Sequence, residues 1–335
     1  MKRKILITGG TGFVGNALLR ELDANGYELH ALARATSDKR TLEDLEITWY
    51  PGDLTDAESL DRAVAAVCAA AGDEGAWLVH CAALISYRSA DGEQQEAVNF
   101  GGTRSVLEAA ERHGMQRVVH VSSVVGVGFA RGDEVLDEDS TFNGNDVHCD
   151  YTRTKRAAEE FALSKAAALD LRVVNPGAIF GPVFGESNTT RFLRSVARRK
   201  LGPVAPPGGL SVLGVRDTAR GIRLALERGR TGRRYLLVES YMTNAELFRL
   251  AQKKLGVPAV PFTMPSALWP LVVLGSRVVD AVKPASLATP QALRMLGLKF
   301  RYTSARAREE LGWDPVPFDE VLDETIEHCR ARGML

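Results

Sequence analysis

The chain has 335 residues, 45% apolar and 25% charged, which is ordinary for a globular protein with one dominant domain and a smaller partner. Its 42 basic and 42 acidic side chains cancel to a formal charge of zero, which removes the electrostatic case for nucleic acid or an anionic membrane as main partner. The four cysteines, Cys68, Cys81, Cys149 and Cys329, show neither metal-ligand nor disulfide spacing, so the expectation is no metal and a reducing, cytoplasmic setting.

After the basic start Met1-Lys2-Arg3-Lys4, the branched run Ile5-Leu6-Ile7 reads as a buried parallel strand and is too short for a signal-peptide core. Thr8-Gly9-Gly10-Thr11-Gly12-Phe13-Val14-Gly15 follows and opens a helix on which Phe13, Val14, Ala17, Leu18 and Leu22 recur at helical spacing. The glycines fit Gly-x-Gly-x-x-Gly from Gly10 and Gly-x-x-Gly-x-x-Gly from Gly9. A strand, a tight glycine turn and a helix N-terminus with free N–H groups cradle a pyrophosphate. The segment therefore predicts dinucleotide binding through Gly9, Gly12, Phe13, Val14 and Gly15.

Leu29 to Ala33 reads as the second strand and ends at Arg34. An acidic residue about twenty positions beyond the glycines would favour NAD. An arginine suits the 2′-phosphate of NADP instead, so NADP(H) is expected in preference to NAD(H), with Lys39 and Arg40 close by. Thr48-Trp49-Tyr50 is a third strand, closed by Pro51-Gly52. Asp53, followed by Leu54, either accepts from the adenine amino group or caps the helix near 57–70. Trp77 to Cys81 and Val118 to Val121 are the fourth and fifth strands, with a helix over 96–113 between them. Strands alternating with helices imply an α/β fold, a doubly wound parallel sheet of Rossmann type. His80 and His120, inside strands, read as buried and hydrogen-bonded.

Val121-Ser122-Ser123-Val124 puts two hydroxyls at the end of the fifth strand. Ser123 is preferred as the one that orients a substrate oxygen, Ser122 being its neighbour; a turn that merely ends the strand is the alternative. Tyr151-Thr152-Arg153-Thr154-Lys155 sets a phenol and an ammonium one helical turn apart. A phenol ordinarily ionises at about pH 10, and a neighbouring ammonium favours its phenolate. The pair reads as acid–base apparatus, and the lysine can also hold a nicotinamide ribose. His148 and Cys149, just before it, are candidates to face a substrate.

Leu171 to Val174 is a sixth strand, and beyond Pro176 the rhythm changes. Proline and glycine crowd 176–185 and 202–209; helices then dominate, over 218–227, 244–255, 265–282, 304–311 and 318–332, with one strand candidate at Tyr235 to Val238. The expected organisation is a dinucleotide-binding domain over 1–175, to which about 212–240 returns, and a smaller, mainly helical substrate lobe over 176–335. Phe184 to Arg191 and Val204 to Leu210 are candidate substrate loops. The basic run Arg191 to Lys200 has Phe192, Leu193 and Val196 on one helical face; phosphate binding by Arg191 or Arg194 is its minority reading. Ala267 to Val282, which contains Arg277 and Asp280, is too short to span a membrane and reads as a packed or interfacial helix.

Eight motifs in order cover nearly the whole chain: TGGTGFVG at 8–15, GDL at 52–54, HCAA at 80–83, VNFGGT at 98–103, VSS at 121–123, YTRTK at 151–155, PGAIFGP at 176–182 and LGWDP at 311–315. With them the chain resembles the extended short-chain dehydrogenase/reductases, the NAD-dependent epimerase/dehydratase superfamily. The resemblance implies a triad of Ser123, Tyr151 and Lys155, with Ser122, Ala82 and Ala83 beside the cofactor and Asn99 as a buttress. It also implies that Pro176, Ala178 and Ile179 run past the nicotinamide, and that a homodimer forms through 96–113 and 151–168. The chain most resembles the dihydroflavonol-reductase-like and 3β-hydroxysteroid-dehydrogenase-like branch, through Ala33-Arg34-Ala35-Thr36-Ser37-Asp38 and Val173-Val174-Asn175-Pro176-Gly177-Ala178. Nucleotide-sugar members typically have Arg-Pro and Tyr-Gly-Pro where this chain has Asn175-Pro176 and Phe180-Gly181-Pro182, and no acid pair follows the serines. The implied activity is NADP(H)-dependent reduction of a ketone or aldehyde, or oxidation of the alcohol, on a small molecule. A nucleotide-sugar epimerase or dehydratase and a non-catalytic NADP-binding sensor are the rivals.

Overall fold

The structure is a computed structural model that describes residues 2–182, 187–200, 204–282 and 289–335, with the side chains of 277–282 excepted. Ile5, Leu6 and Ile7 form β1 (Lys4–Thr8) because both faces of the strand are covered. Ile5 and Ile7 pack with Leu18 and Leu22 of α1 (Phe13–Ala24), whereas Leu6, pointing to the other face, packs with Leu60 and Val64 of α2 (Ala57–Ala71). The other strands of this sheet are β2 (Glu28–Ala33), β3 (Ile47–Pro51), β4 (Trp77–His80), β5 (Arg117–Val121), β6 (Leu171–Pro176) and, from the second half, Arg234–Leu237. The last of these is the strand expected near Tyr235, and it lies on the edge beside β6.

All seven strands are parallel, and the order runs from Arg234–Leu237 through β6, β5, β4, β1 and β2 to β3. The order reverses between β1 and β4, whose ends Thr8 and His80 stand in register. A parallel doubly wound sheet opens a crevice outside the strand ends at that reversal. Two other helices border it. The helix expected over 96–113 is broken: a wide π-type turn at Glu96–Gly101 leads into α3 (Gly102–Arg112). Next comes α4 (Asp150–Ser164), which carries the Tyr-x-x-x-Lys pair.

The second half is helical, as expected, and also holds a small sheet that sequence reading did not locate. It comprises β7 (Ala178–Phe180), β8 (Gly209–Gly214), Ser240–Thr243 and Lys299–Phe300, with β8 pairing all three others. Glycine flanks disguise β8 as a loop. Gly208 sits at φ +89°, and a Cβ on Gly209 would come within 2.5 Å of the Met242 carbonyl, so strand packing here demands glycine. The basic run folds as Asn188–Ala197, with Leu193 and Val196 buried. No helix among the described residues is long and apolar enough to cross a membrane. The helix Trp269–Val282 nevertheless exposes Leu271 and Leu274.

Candidate active site

The crevice begins at the glycine turn after β1. Gly9 adopts φ +76°, and a Cβ there would lie 2.8 Å from the backbone N and Cα of Ala82, so the turn sits directly on the segment that leaves β4. A Cβ on Gly15 would lie 2.1 Å from the Gly9 carbonyl oxygen. Gly12 caps α1 without a side-chain hydrogen bond, and no acidic residue occupies the first turn of that helix. Phe13 and Val14 follow, half-buried. The free N–H groups and positive dipole end of α1 are therefore available to an anion, and the residues fit a dinucleotide pyrophosphate.

At the next strand end Arg34 is exposed, and its guanidinium makes no hydrogen bond or close ion pair with the described residues. Arg40 is engaged by Asp38 at 2.9 and 2.6 Å, and Lys39 lies over the Trp49 ring at 4.6 Å. Asp53 does not cap α2; that role belongs to Asp56, which accepts from the N–H groups of Glu58 and Ser59. Asp53 instead accepts from the Thr55 N–H at 2.9 Å and the Thr55 hydroxyl at 2.6 Å. These bonds, with the Arg34 charge, hold its carboxyl below the usual range. The helix-cap alternative for Asp53 is thus corrected, since Asp53 turns back to close a local turn. Leu54 is buried where α3 approaches it, a Cβ on Gly102 meeting its Cβ at 2.9 Å.

Beyond β4, Ala82 is half-buried and Ala83 exposed. Asn99, in the π-type turn, is buried and grips this segment twice: it donates to the Leu84 carbonyl at 3.0 Å and accepts from the Leu84 N–H at 2.7 Å. Its amide also donates to the Thr154 hydroxyl at 3.1 Å, tying the segment to α4 beside Lys155. His80 is held by the hydroxyls of Thr8 and Thr103, at 2.6 and 3.0 Å, and burial drops its pKa to about 3. His120 stacks on it at 5.4 Å but, against expectation, neither of its ring nitrogens has a partner. Burial likewise keeps His120 neutral.

Tyr151 is buried in the first turn of α4, with the Ser123 side chain beside its phenol. Burial pushes the phenol up to about 12, and the Ser123 side chain opposes that rise. Ser123 has an extended backbone, and its oxygen also takes a long 3.4 Å bond from the Val125 N–H. Lys155, one turn beyond Tyr151, is buried and donates to the Val121 carbonyl at 2.8 Å. Burial lowers its ammonium to about 8, against the opposing pull of Glu159 and Cys81. Tyr151, Ser123 and Lys155 are thus gathered where β5 ends. Ser122 turns away, giving its hydroxyl to Glu159 at 2.5 Å.

Pro176 ends β6, and Ala178 and Ile179 lie half-buried on β7. His148 is exposed at φ +48°, and Cys149 is buried with its thiol pushed up by burial. Arg191 donates to Asn188 and Arg194 to the Met334 carbonyl. Of the candidate substrate loops, residues 184–186 lie outside the described residues.

Three participants escaped sequence reading. Tyr87 meets the Tyr151 ring edge-on at 5.9 Å, and Thr154 and Glu159 bracket Lys155 on α4. Only Glu159 had a usable signal: it extends the face of Tyr151 and Lys155 by one more turn.

Comparison with known proteins gives the family. The family model of the NAD dependent epimerase/dehydratase family matches residues 5–237. The chain is 30% identical to sterol demethylase protein B of Methylococcus capsulatus, over 98% of this chain and 99% of that protein. It is also 30% identical to a putative dihydroflavonol 4-reductase of Synechocystis, over 98% of this chain and 94% of that protein. Among solved structures, gox2253 superposes over 100% of both chains with a TM-score of 0.86 and 28% identity. Motifs, sheet order and relatives converge: the chain belongs to the NAD dependent epimerase/dehydratase family, as one of its oxidoreductases.

Proposed function

We propose that the protein is an NADP(H)-dependent oxidoreductase that reduces a ketone or aldehyde, or oxidises the corresponding alcohol, with Ser123, Tyr151 and Lys155 as its catalytic residues. The observation that carries this reading is the buried Tyr151 phenol, beside Ser123 and followed one turn later by the buried Lys155, at the crevice that starts from the glycine turn. Gly9, Gly12, Phe13, Val14 and Gly15 would hold the pyrophosphate, Arg34 the 2′-phosphate, and Asp53 with Leu54 the adenine side. Ala82, Ala83, Pro176, Ala178 and Ile179 would line the path to the ring, with Asn99 as its buttress and Ser122, its hydroxyl turned to Glu159, behind them. The bound nicotinamide supplies or accepts the hydride.

The chain's own work is the proton. At neutral pH the phenol, pushed up to about 12, carries its proton and can give it to a carbonyl oxygen. Ser123 steers that oxygen, and the Lys155 ammonium lowers the cost of the phenolate that results. Val124, Val125 and Val147 belong to the apolar cluster that contains Tyr151. A cleft of about 610 Å³ shares Val147 and Phe129 with it and continues to Trp269, Val273 and Leu298. This lining supports an apolar substrate body over a nucleotide sugar. The expected homodimer belongs to the same reading, with half-buried Phe100 and Phe161, ring centroids 6.3 Å apart, between the helices proposed to form it.

The test is NADPH consumption across a panel of ketones, aldehydes and flavonoid- or steroid-like carbonyls. Oxidation of NADPH by at least one apolar carbonyl is expected. Turnover of a nucleotide sugar with no net cofactor consumption would replace this reading with the epimerase or dehydratase one; NADPH binding with no turnover of any compound would favour the sensor.

A further inference from the structure

Behind the serine lies a buried charge that the proposed proton transfer does not use. Glu159 is completely buried on α4, one turn past Lys155. Its Oε2 accepts from the Ser122 hydroxyl at 2.5 Å and from the Asn175 amide at 2.6 Å. Arg234 stands 3.0 Å from Oε1 without hydrogen-bond geometry, so that oxygen accepts no hydrogen bond. The same Asn175 amide donates to the Ser123 carbonyl at 3.0 Å. A Cβ on Gly126 would come within 2.9 Å of Oε2, so the turn after Ser123 is packed down onto the carboxylate.

As a stabiliser this is a poor arrangement. Desolvating a carboxylate and a guanidinium is costly, and well-packed apolar residues of similar size commonly do as well or better. What the arrangement does accomplish is local. Both hydrogen bonds on Oε2 lead to the strand end that carries Ser123: Ser122 is its neighbour, and Asn175 holds its carbonyl. The serine hydroxyl has few restraints of its own, apart from Tyr151 and the long bond from Val125. The groups that surround the Lys155 ammonium are Glu159 on its own helix, Cys81 and His80 from the β4 side, His120 from β5, and Tyr151. Both histidines are kept neutral by burial, and burial pushes the Cys81 thiol to about 12. Glu159 is therefore the anion of that group.

We propose that Glu159 is a positioning residue for the reaction: its carboxylate clamps Ser122 and, through Asn175, the Ser123 backbone, so that the Ser123 hydroxyl meets Tyr151, while its negative charge keeps the Lys155 ammonium in place. This inference rests on the Ser-Tyr-Lys reading above.

The test compares Glu159→Gln, Glu159→Asp, the double variant Glu159→Gln/Arg234→Gln and Tyr151→Phe by kcat, KM, NADPH affinity and the pH profile of kcat. Glu159→Gln lowers kcat about 10–100-fold while NADPH affinity stays within about twofold, because Glu159 acts on proton transfer and lies outside the glycine cradle. Its alkaline limb moves to lower pH by about half a unit or more, since without the nearby anion the ammonium gives up its proton more easily. Glu159→Asp keeps the charge and therefore keeps the limb. The double variant leaves no orphaned arginine charge, so it supplies the answer if the single variant fails to fold. Wild-type kcat and an unmoved limb in whichever variant folds would overturn the inference. So would a fall in kcat with no movement of the limb, because that is what a merely structural role produces. If Tyr151→Phe retains turnover, it is the triad reading that fails, and the two failures remain distinct.

Discussion

The two walls of the crevice are built by opposite means. The wall at β1 and α1 works through the absence of side chains: Gly9 and Gly15 leave room that a single Cβ would fill, and the free N–H groups of α1 do the binding. The wall at β5 and α4 works through buried polar side chains, Ser122, Tyr151, Lys155, Glu159 and Asn175, each with a partner inside the fold. The first wall is intolerant of any added atom and offers a positive helix end to an anion. The second is tightly packed and sensitive to every proton. That contrast explains how one crevice can bind a large anion and also move a proton beside it.

The largest expected effect is on the glycine wall. Gly15→Ala forces a methyl against the Gly9 carbonyl, whose backbone cannot step aside. It should cost about 3 kcal/mol of stability and abolish cofactor binding. Thermal melting and NADPH titration would check this, and a variant that binds normally would show that the glycine turn is less rigid than the contacts imply.

Next in size is a pH effect seated between the walls. His80 and His120 are neutral in the fold, while their unfolded forms take up protons below about pH 6.5. The folded pKa is lowered in both, so the unfolded state binds more protons and stability falls as pH drops from that value, for His80 down to about 3. Two protons give a slope of about 2.7 kcal/mol per pH unit. His120→Leu removes one of them and should roughly halve the acid slope in urea unfolding series between pH 6 and about 4.5. An unchanged slope would mean that His120 is already solvated.

The smallest effect separates the cofactors. Arg34→Ala should raise the KM for NADPH about 10-fold and leave that for NADH nearly unchanged, because only NADPH presents a phosphate to the freed guanidinium site. Equal changes for both would remove Arg34 from the account.

These contrasts also govern what was legible in the sequence. The glycine wall was readable because it is local: strand, turn and helix lie within residues 4–24 and their chemistry is contained in the glycines themselves. Tyr151 and Lys155 were readable because they share one helix, and Ser123 because it ends a strand. The partners of Glu159 were not, since Ser122, Asn175 and Arg234 meet it from three strands far apart in sequence. Strand β8 was hidden by its own glycines, which read as loop until Met242 is seen packed against them. Tyr87 lacked any local signal; its carbonyl accepts from the Thr289 hydroxyl 202 residues away, and its ring meets that of Tyr151 across 64 residues of chain.

The central claim is that the Tyr151 phenol is the proton donor at the second wall and takes no part in the binding done by the first. The direct measurement is single-turnover oxidation of bound NADPH by a carbonyl substrate in Tyr151→Phe, alongside NADPH affinity by calorimetry. The account requires the rate to fall about 10³-fold or more with affinity within about twofold of wild type. A rate near wild type, or a rate lost only in step with cofactor affinity, would contradict it.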